Sequence, residues 1–394
     1  MTATDRQSVI VVGAGVFGVT AALELRRRGH AVDLLDTGPV PRPAASSTDI
    51  SKAVRTDYGN DGFYTDLAAR ALAGWREWNR EWSEPLYHEV GILLLSEGPM
   101  QPGGFEADSM RLQLERGIPV ERLDRASLGR RFPAWNAAAY ADGYLNPHAG
   151  YVESGRVMEV LIAKARSSGV RIREDVRTRW LHEQGSRVCG VVLQGGEILR
   201  ADFVVVSAGA WTSFLLPWLS NFLWATGQPV IYFRPPDPRP FEGCRFPVWC
   251  GDIARTGWYG FPVNREGLLK LGHHGAGRRV APGEPLEVTD GERRRALEFA
   301  RSTFPDLESA SVVRTRLCLY CDTWDGDFLI DHVAERPGLV VATGGSGHGF
   351  KYAPLLGGIV ADVLERRPNR DAQRFAWRAP GERRAEQARQ AAPG

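Results

Sequence analysis

The chain has 394 residues and a formal net charge of +2; 43% of its residues are hydrophobic and 24% are charged. This length suits two domains or one large α/β body, and the near-neutral charge gives no reason to expect a nucleic-acid or membrane partner. The five cysteines show no disulfide framework, and we expect no signal peptide and no membrane span, so a cytoplasmic location is predicted.

The first predicted elements form a β–turn–α–β unit over residues 8–36. A short β-branched run at 8–12 predicts a buried strand, helix-forming residues at 19–28 predict a helix, and the apolar run 31–35 predicts a second strand. The turn between the first strand and the helix has the pattern G-x-G-x-x-G. With the strand, the helix and a terminal acid all present, this pattern is typical of a dinucleotide-binding site.

Each residue type in this unit has a physical role at a dinucleotide. Gly13 permits the tight turn, Gly15 lets the backbone approach a pyrophosphate, and Gly18 lets the helix pack closely on the strand. The helix N-terminus offers N–H groups to the phosphates, and Asp36 is placed to accept the ribose hydroxyls. The unit does not decide between NAD and FAD. The predicted cofactor-binding residues here are Gly13, Gly15, Val16, Phe17, Gly18 and Asp36.

The elements that follow fall into two groups. Apolar runs at 204–206 and 339–343 predict buried strands in the same parallel sheet as residues 8–12. Alternating apolar and polar residues, prolines and aromatics between 228 and 318 predict a second, largely antiparallel sheet. Further helices are predicted at 61–80, 105–116, 124–131, 153–169, 290–304 and 352–366.

We therefore expect an α/β fold with a discontinuous, Rossmann-type nucleotide-binding domain and a second, substrate-binding domain whose sheet is largely antiparallel. An NAD dehydrogenase would normally add further βα units soon after residue 36. This chain instead leaves the nucleotide domain and returns twice, which favours FAD. The expected segments are 1–85, 141–224 and 319–378 for the FAD-binding domain, 86–140 and 225–318 for the substrate domain, and 379–394 for a flexible tail.

Three late stretches carry motifs of higher specificity: Tyr259–His274, Arg316–Asp331 and Gly345–Lys351, the last with the string G-S-G-H-G-F-K. Together with the N-terminal unit they resemble the D-amino-acid-oxidase superfamily. Within it they resemble the sarcosine oxidase family, which includes monomeric sarcosine oxidase, N-methyltryptophan oxidase, pipecolate oxidase and amadoriases. The resemblance covers nearly the whole chain and implies FAD as the cofactor.

The resemblance further implies that FAD is attached covalently through Cys318. Such a bond needs a thiolate that reaches the flavin edge beside a positive charge, and Arg316 is a candidate neighbour. The alternative is an inert, buried cysteine. Cys321 completes a C-x-x-C pattern with Cys318, but a redox or zinc site would need partners, and Cys244 and Cys250 are not spaced as a usual zinc pair. We therefore expect no metal.

The Gly-rich stretch before the last long helix is expected to lie along the flavin. Its backbone N–H groups and the helix dipole would face the flavin edge where negative charge collects on reduction. The family often has arginine near the flavin at the position of Lys52. The resemblance assigns the remaining cofactor contacts to Lys52, Gly345, Gly347, His348, Gly349, Phe350 and Lys351.

The resemblance also implies catalytic roles. Arg55 and Lys351 would hold the substrate carboxylate, a suitable partner for a guanidinium and an ammonium. Lys270 would activate O2, because a fixed cation stabilises the superoxide formed by electron transfer. The alternatives are solvated surface charges, and for Lys270 a strand residue whose head group reaches solvent. Three further pocket positions match the family, although each could be a core residue: Tyr259, Tyr320 and His274.

The predicted function is oxidation of the C–N bond of a secondary or cyclic amino acid to an imine. A hydride equivalent passes to FAD, which is reoxidised by O2 with release of hydrogen peroxide. Some family members act in secondary-metabolite biosynthesis, which is one setting for this chain. The expected assembly is a monomer or weak homo-oligomer. The alternatives are an FAD-dependent amino-acid dehydrogenase that passes electrons to a partner, an NAD(P) enzyme, and a non-catalytic flavin- or metal-binding module.

Overall fold

The computed structural model describes residues 6–243, 245–281, 284–381 and 386–391. The chain divides into two compact units, and each unit is built from three separate segments. Unit 1 consists of Met1–Asp49, Ser154–Ala225 and Leu319–Arg384, and unit 2 consists of Ile50–Glu153, Thr226–Cys318 and Ala385–Gly394.

The strands and helices are numbered in chain order. The strands are β1 (Ser8–Val12), β2 (Ala31–Leu35), β3 (Lys52–Val54), β4 (Tyr87–His88), β5 (Ile92–Ser96), β6 (Glu121–Arg122), β7 (Asp142–Asn146), β8 (Gly150–Val152), β9 (Arg171–Arg173), β10 (Thr178–Gln184), β11 (Arg187–Leu193), β12 (Ile198–Arg200), β13 (Phe203–Val206), β14 (Leu223–Arg234), β15 (Val248–Gly251), β16 (Trp258–Phe261), β17 (Leu269–His273), β18 (Arg278–Arg279), β19 (Ser311–Thr323), β20 (Leu329–His332) and β21 (Leu339–Thr343). The helices are α1 (Val16–Arg27), α2 (Gly62–Glu81), α3 (Phe105–Glu115), α4 (Arg125–Arg131), α5 (Ser154–Ser167), α6 (Thr212–Leu215), α7 (Ile253–Thr256), α8 (Asp290–Thr303), α9 (Ala353–Leu364) and α10 (Ala372–Phe375).

Unit 1 is built on a six-stranded sheet with the order β20-β21-β13-β1-β2-β9. The sheet is parallel except for β20, which pairs antiparallel with β21 at one edge. The apolar, β-branched composition of β1, β13 and β21 suits strands that are buried on both faces. The prediction that these three strands share one parallel sheet is confirmed. A separate three-stranded meander, β10-β11-β12, completes the sheets of this unit.

Helices α1 and α9 of unit 1 pack together through a glycine. A Cβ at Gly357 of α9 would lie 2.4 Å from the carbonyl oxygen of Thr20 in α1. Because real side chains do not approach a backbone oxygen this closely, only glycine allows the two helices their observed separation. The first and last long helices of the unit are thereby held together, although they are far apart in the sequence.

Unit 2 contains a nine-stranded mixed sheet with the order β18-β14-β17-β16-β15-β5-β7-β6, in which β19 pairs with β14. Most pairs are antiparallel, and β15 with β5 is a parallel pair. A smaller sheet, β3-β8-β4, lies in the same unit. The core is aromatic and includes Trp135, Trp249 and Phe304, whose rings lie within 5.2 Å of one another. The predicted fold class, with a parallel Rossmann-type sheet and a largely antiparallel second sheet, is confirmed.

The segment boundaries differ from the predicted ones. Residues 50–85 and 141–153, expected in the FAD-binding domain, belong to unit 2. The reason is strand pairing: β3 pairs with β8, and β7 pairs with β5. Pairing between segments this distant in sequence leaves no local signal.

The expectation of a flexible tail at 379–394 also differs from the structure where the tail is described. Residues 386–391 pack against unit 2, and the side chain of Ala388 is fully buried. No helix in the described part of the chain is long and apolar enough to cross a membrane.

Candidate active site

The glycine turn between β1 and α1 requires glycine at two positions. Gly13 has φ 103°, in the left-handed region, and a Cβ there would lie 2.5 Å from the carbonyl oxygen of Ser207. A Cβ at Gly18 would lie 1.8 Å from the carbonyl oxygen of Gly13. The turn, the helix and strand β13 therefore pack at a separation that excludes any side chain. This is the close packing that the sequence pattern predicts.

The N-terminus of α1 presents backbone rather than side chains. The N-cap residue Gly15 supplies no capping hydrogen bond, and Ser47 Oγ accepts one from the N–H of Val16 at 2.9 Å. At the end of β2, the Asp36 carboxylate accepts hydrogen bonds from the N–H groups of Ala14 (2.8 Å) and Thr37 (2.7 Å). Asp36 thus stands half-buried beside a turn whose glycines exclude side chains, and this helix N-terminus with a nearby acid fits the phosphate and ribose of a dinucleotide.

The predicted cofactor residues at the two ends of unit 1 come together in the structure. A Cβ at Gly349 would lie 2.9 Å from the Phe17 ring, and a Cβ at Gly345 would lie 3.4 Å from it. The Gly347 backbone, at φ 82°, lies against the Tyr320 ring, where a Cβ would approach to 2.2 Å. The glycines of this loop therefore bring the backbone close to two aromatic rings, which a chain with larger residues could not do.

The polar residues of this loop are buried. His348 is 5% exposed, its Nε2 lies 3.0 Å from the carbonyl oxygen of Gly326, and its ring packs against Phe328. Lys351 is also 5% exposed, and its Nζ donates to the carbonyl oxygen of His348 at 3.1 Å. Phe350 is buried beside them. Lys351 is thus a buried ammonium rather than the solvated surface charge considered as its alternative.

Lys270 is buried in the sheet of unit 2. It is 2% exposed on β17, its Nζ donates to the carbonyl oxygen of Ser51 at 2.6 Å, and the ammonium lies 4.7 Å from the centre of the Phe261 ring. Lys52, half-buried on β3, follows Ser51 directly. On the neighbouring strand the Tyr259 ring lies over Gly272, where a Cβ would approach to 2.6 Å. The structure therefore excludes a head group that reaches solvent at Lys270.

Arg55 is a buried guanidinium with one nitrogen available. The residue is 7% exposed, and its Nη2 donates to Glu386 Oε1 at 2.8 Å, while Nη1 has no hydrogen-bond partner among the described residues. The guanidinium carbon lies 4.8 Å from the centre of the Tyr58 ring. Burial opposes the charge, yet Glu386 and other acidic groups raise the pKa of Arg55 above its ordinary value. Arg55 is therefore a permanent cation with an unsatisfied donor, which suits an anionic or carbonyl ligand.

His274 is joined to the same carboxylate. Its Nε2 lies 3.2 Å from Glu386 Oε2, and the residue is 6% exposed. Burial lowers the pKa of His274, although the hydrogen bond to Glu386 opposes this effect. Two predicted site residues, Arg55 and His274, are thus linked by Glu386. Glu386 could not be predicted from the sequence, because it lies in a charged tail with no motif.

A buried polar network that the sequence did not reveal lies beside Arg55. Asp57 is fully buried and accepts hydrogen bonds from the Tyr144 hydroxyl (2.7 Å) and from Asn146 Nδ2 (3.0 Å). Burial raises the pKa of Asp57, and it raises the pKa of Glu106 to about 7. The one sequence feature that could have indicated this network is the spacing of Asp57, which follows Arg55 by two residues and so places a carboxylate near a predicted cation.

The four cysteines in the described residues belong to no cluster that could hold a metal ion. Cys318 is 5% exposed on β19, where Arg316, two residues away, shares its side of the strand. Burial raises the pKa of Cys321 to about 11, and its sulfur lies 3.4 Å from Thr343 Oγ1. Both are free thiols, and in the described ranges no cluster of His, Cys, Asp and Glu could hold a metal ion. Cys244 lies outside the described residues.

Comparisons with known proteins agree over nearly the full length. Residues 8–363 match the family model described as DAO, FAD dependent oxidoreductase. The chain is 29% identical over 381 residues to N-methyl-L-tryptophan oxidase from Salmonella arizonae, covering 94% of this chain and 98% of that protein. It is 26% identical over 360 residues to monomeric sarcosine oxidase from a Bacillus species, covering 90% and 91%. A cysteine double mutant of amadoriase I from Aspergillus fumigatus superposes with a TM-score of 0.84 at 25% identity, covering 99% of this chain and 94% of that one.

Proposed function

The chain belongs to the family of FAD-dependent oxidoreductases and is of the amine and amino-acid oxidase type, and we propose that it oxidises a secondary or cyclic amino acid to an imine with release of hydrogen peroxide. The relatives are named for N-methyl-L-tryptophan and sarcosine, which are both N-methyl amino acids with a free carboxylate. The observation that carries the proposal is the buried guanidinium of Arg55, whose Nη1 has no hydrogen-bond partner in the part of the chain that the structure describes.

Arg55 would bind the substrate carboxylate and thereby fix the position of the amine. A buried donor without a partner costs about 1–3 kcal/mol, and a ligand oxygen on Nη1 recovers that cost. A second cation for the carboxylate, Lys351, is proposed from the family resemblance. A buried cation also disfavours a protonated amine nearby, so the substrate reacts as the neutral amine.

FAD, when bound, supplies the two-electron oxidation that takes a hydride from the carbon next to the amine nitrogen and delivers the electrons to O2. Lys270 would stabilise the negative charge that O2 acquires, because its ammonium is buried and held by the carbonyl oxygen of Ser51. The amine loses a hydride and a proton to become an imine, water hydrolyses the imine, and O2 gains two electrons and two protons to become hydrogen peroxide.

The cofactor contacts are proposed from both ends of unit 1. Gly13, Gly15 and Gly18 would hold the pyrophosphate, with Asp36 at the ribose, because side chains are excluded there. The glycines at 345–349 would hold the flavin edge. Cys318 would carry the covalent bond to FAD, and Arg316 on the same side of the strand favours the thiolate that this bond needs.

Two experiments test the proposal. Amino acids are screened for oxygen uptake and stoichiometric peroxide, and we expect N-methyl and cyclic amino acids to be active. Oxidation that needs an added electron acceptor and gives no peroxide would instead indicate a dehydrogenase. Separately, the protein is denatured in acid. Covalent FAD is supported if the yellow colour stays with the wild-type polypeptide and with Cys321→Ala but is lost from Cys318→Ala. Release of the colour from the denatured wild type would contradict covalent attachment.

A further inference from the structure

The C-terminal segment, residues 386–391, places a carboxylate on the guanidinium that is proposed to bind the substrate. Glu386 bridges two predicted site residues, with Oε1 on Arg55 Nη2 at 2.8 Å and Oε2 near His274 Nε2 at 3.2 Å. The Arg55 and Glu386 side chains are 8% and 11% exposed, so this ion pair is largely shielded from solvent. Such a pair is weakened little by salt. A substrate carboxylate therefore meets an Arg55 that is already paired.

Gln387 and Ala388 hold the segment at a specific place. Gln387 Oε1 accepts from the N–H of Asn60 at 3.0 Å, and its Nε2 donates to the Gly103 carbonyl oxygen at 2.9 Å and to Asp108 Oδ2 at 3.1 Å. Ala388 is fully buried. A Cβ at Gly59 would lie 1.9 Å from Gln387 Oε1, so a larger residue at position 59 would force the glutamine side chain to move.

The second half of the segment is anchored beside His274. The N–H of Gln390 donates to the His274 carbonyl oxygen at 3.1 Å, and its Nε2 donates to the Arg255 carbonyl oxygen at 2.7 Å. Arg389 Nε donates to the Gly275 carbonyl oxygen at 2.9 Å. The segment is thus fixed by polar contacts of Gln387, Arg389 and Gln390, all of which follow Glu386 in the sequence, and these contacts do not involve Arg55. Its position is built into unit 2.

We propose that the C-terminal segment is an internal competitor of the substrate, with Glu386 standing in for the substrate carboxylate on Arg55. The inference rests on the proposed role of Arg55 as the carboxylate anchor. Nη1 remains for a first, single contact with the incoming carboxylate. Both nitrogens of the guanidinium become available, in the bidentate geometry that carboxylates prefer, only when Glu386 leaves. Substrates without a carboxylate have no means to displace it, so the segment also selects for amino acids over simple amines.

The size of the effect follows from mass action. A ligand that needs the undocked form binds with its intrinsic Kd divided by the fraction of protein in that form. A carboxylate tethered next to its site acts at an effective concentration on the order of millimolar or higher. Removing its charge should therefore strengthen the binding of a free carboxylate by about tenfold or more.

The test is calorimetric titration of the FAD-loaded protein with benzoate, and with neutral benzamide for comparison. Glu386→Gln should bind benzoate at least tenfold more tightly than the wild type, with little change for benzamide. The matched control is Glu287→Gln, which removes the same charge from an exposed position in unit 2 and should leave both affinities unchanged. Gln387→Ala, which loosens the segment without touching Arg55, should also strengthen benzoate binding.

Hydrogen exchange gives a second readout that does not depend on turnover. The N–H groups of Arg389 and Gln390 are hydrogen bonded, to the carbonyl oxygens of Glu386 and His274. Benzoate should accelerate exchange in the C-terminal peptide of the wild type, and exchange should already be faster in Glu386→Gln.

Three results would overturn the inference. They are unchanged or weaker benzoate binding in Glu386→Gln, an affinity gain that persists in Arg55→Gln/Glu386→Gln, and a C-terminal peptide whose exchange does not respond to benzoate. Failure of the proposed function is recognised independently, because it is measured as absent oxygen uptake in the wild type. Loss of benzoate binding in Arg55→Gln with no effect of Glu386→Gln would leave Arg55 as the anchor and refute only the competitor.

Discussion

Gly18→Ala should destabilise unit 1 and weaken the hold on FAD. The added Cβ would lie 1.8 Å from the carbonyl oxygen of Gly13 and 2.6 Å from Ser207 Oγ. The serine hydroxyl can rotate away, but the carbonyl belongs to the turn itself, so α1 must move from β1 or the turn must open. Forcing extra atoms into a packed site costs about 1–3 kcal/mol.

Part of this cost is offset, because alanine is a better helix former than glycine by about 0.5–1 kcal/mol. The net loss in the free energy of unfolding is therefore about 1 kcal/mol, which lowers Tm by a few degrees. Gly358→Ala is the matched control: Gly358 lies in α9 of the same unit, and a Cβ there meets no atom within 4 Å. This control should keep the full helix gain and unfold at a slightly higher temperature than the wild type.

The assay has two parts. Thermal unfolding is followed for the wild type and both variants, and FAD retention is followed after gel filtration in a Cys318→Ala background, where only non-covalent contacts can hold the cofactor. Gly18→Ala should lose flavin absorbance, and Gly358→Ala should keep it. A Gly18→Ala protein that unfolds no earlier than the Gly358→Ala protein and keeps its FAD would refute the reasoning from close packing.

Three further predictions concern unit 2. Lys270→Met keeps the length of the side chain but removes its charge, so the reaction of the reduced enzyme with O2 should slow by about 10²–10³-fold in stopped-flow measurements. A parallel slowing of the anaerobic reduction by substrate would contradict the proposed role of Lys270 in O2 activation. Asp57 accepts hydrogen bonds from Tyr144 and Asn146, and Asp57→Asn places an N–H₂ group against one of these donors. Urea unfolding should show a free energy of unfolding lower by about 1–3 kcal/mol. An unchanged midpoint would refute a stabilising role of this network. Burial lowers the pKa of His273 from 6.5 to about 4. As the pH falls, His273 is therefore protonated at a higher pH in the unfolded chain than in the folded one. The free energy of unfolding should then decrease between pH 6.5 and 4 by up to ~1.4 kcal/mol per pH unit, and His273→Gln should flatten this part of the profile, whereas equal slopes would exclude His273 as the cause.

Local signals explain what could be predicted from the sequence. The strand, the glycine turn and the helix at 8–28 follow from residue types within one short stretch. Lys270 stands out because a lysine within an apolar strand is an unusual choice in a chain where arginine supplies most cations. The loop at 345–351 is identified by its glycines. These features are encoded where they occur, so no knowledge of distant partners is needed.

The features that were missed depend on partners far away in the chain. The pairing of β3 with β8 moves residues 50–85 to unit 2, and neither strand has a sequence that specifies the other. Glu386 is one of many acidic residues in the sequence. It is held beside Arg55 because Gln387 and Gln390 form hydrogen bonds with backbone groups that come together only in the folded unit. The candidate site was therefore predictable in its cations but not in the carboxylate that holds one of them.

The discontinuity of unit 1 has a consequence for synthesis of the chain. β1 has β2 on one side and β13 on the other, and β13 in turn needs β21. Ribosomes add about 5–20 residues per second, so the first strand emerges tens of seconds before its sheet can be finished. Throughout that time an apolar, β-branched strand has an unpaired edge. We expect the nascent chain to depend on chaperones, and truncation before β21 to cause aggregation rather than yield a smaller soluble nucleotide-binding fragment.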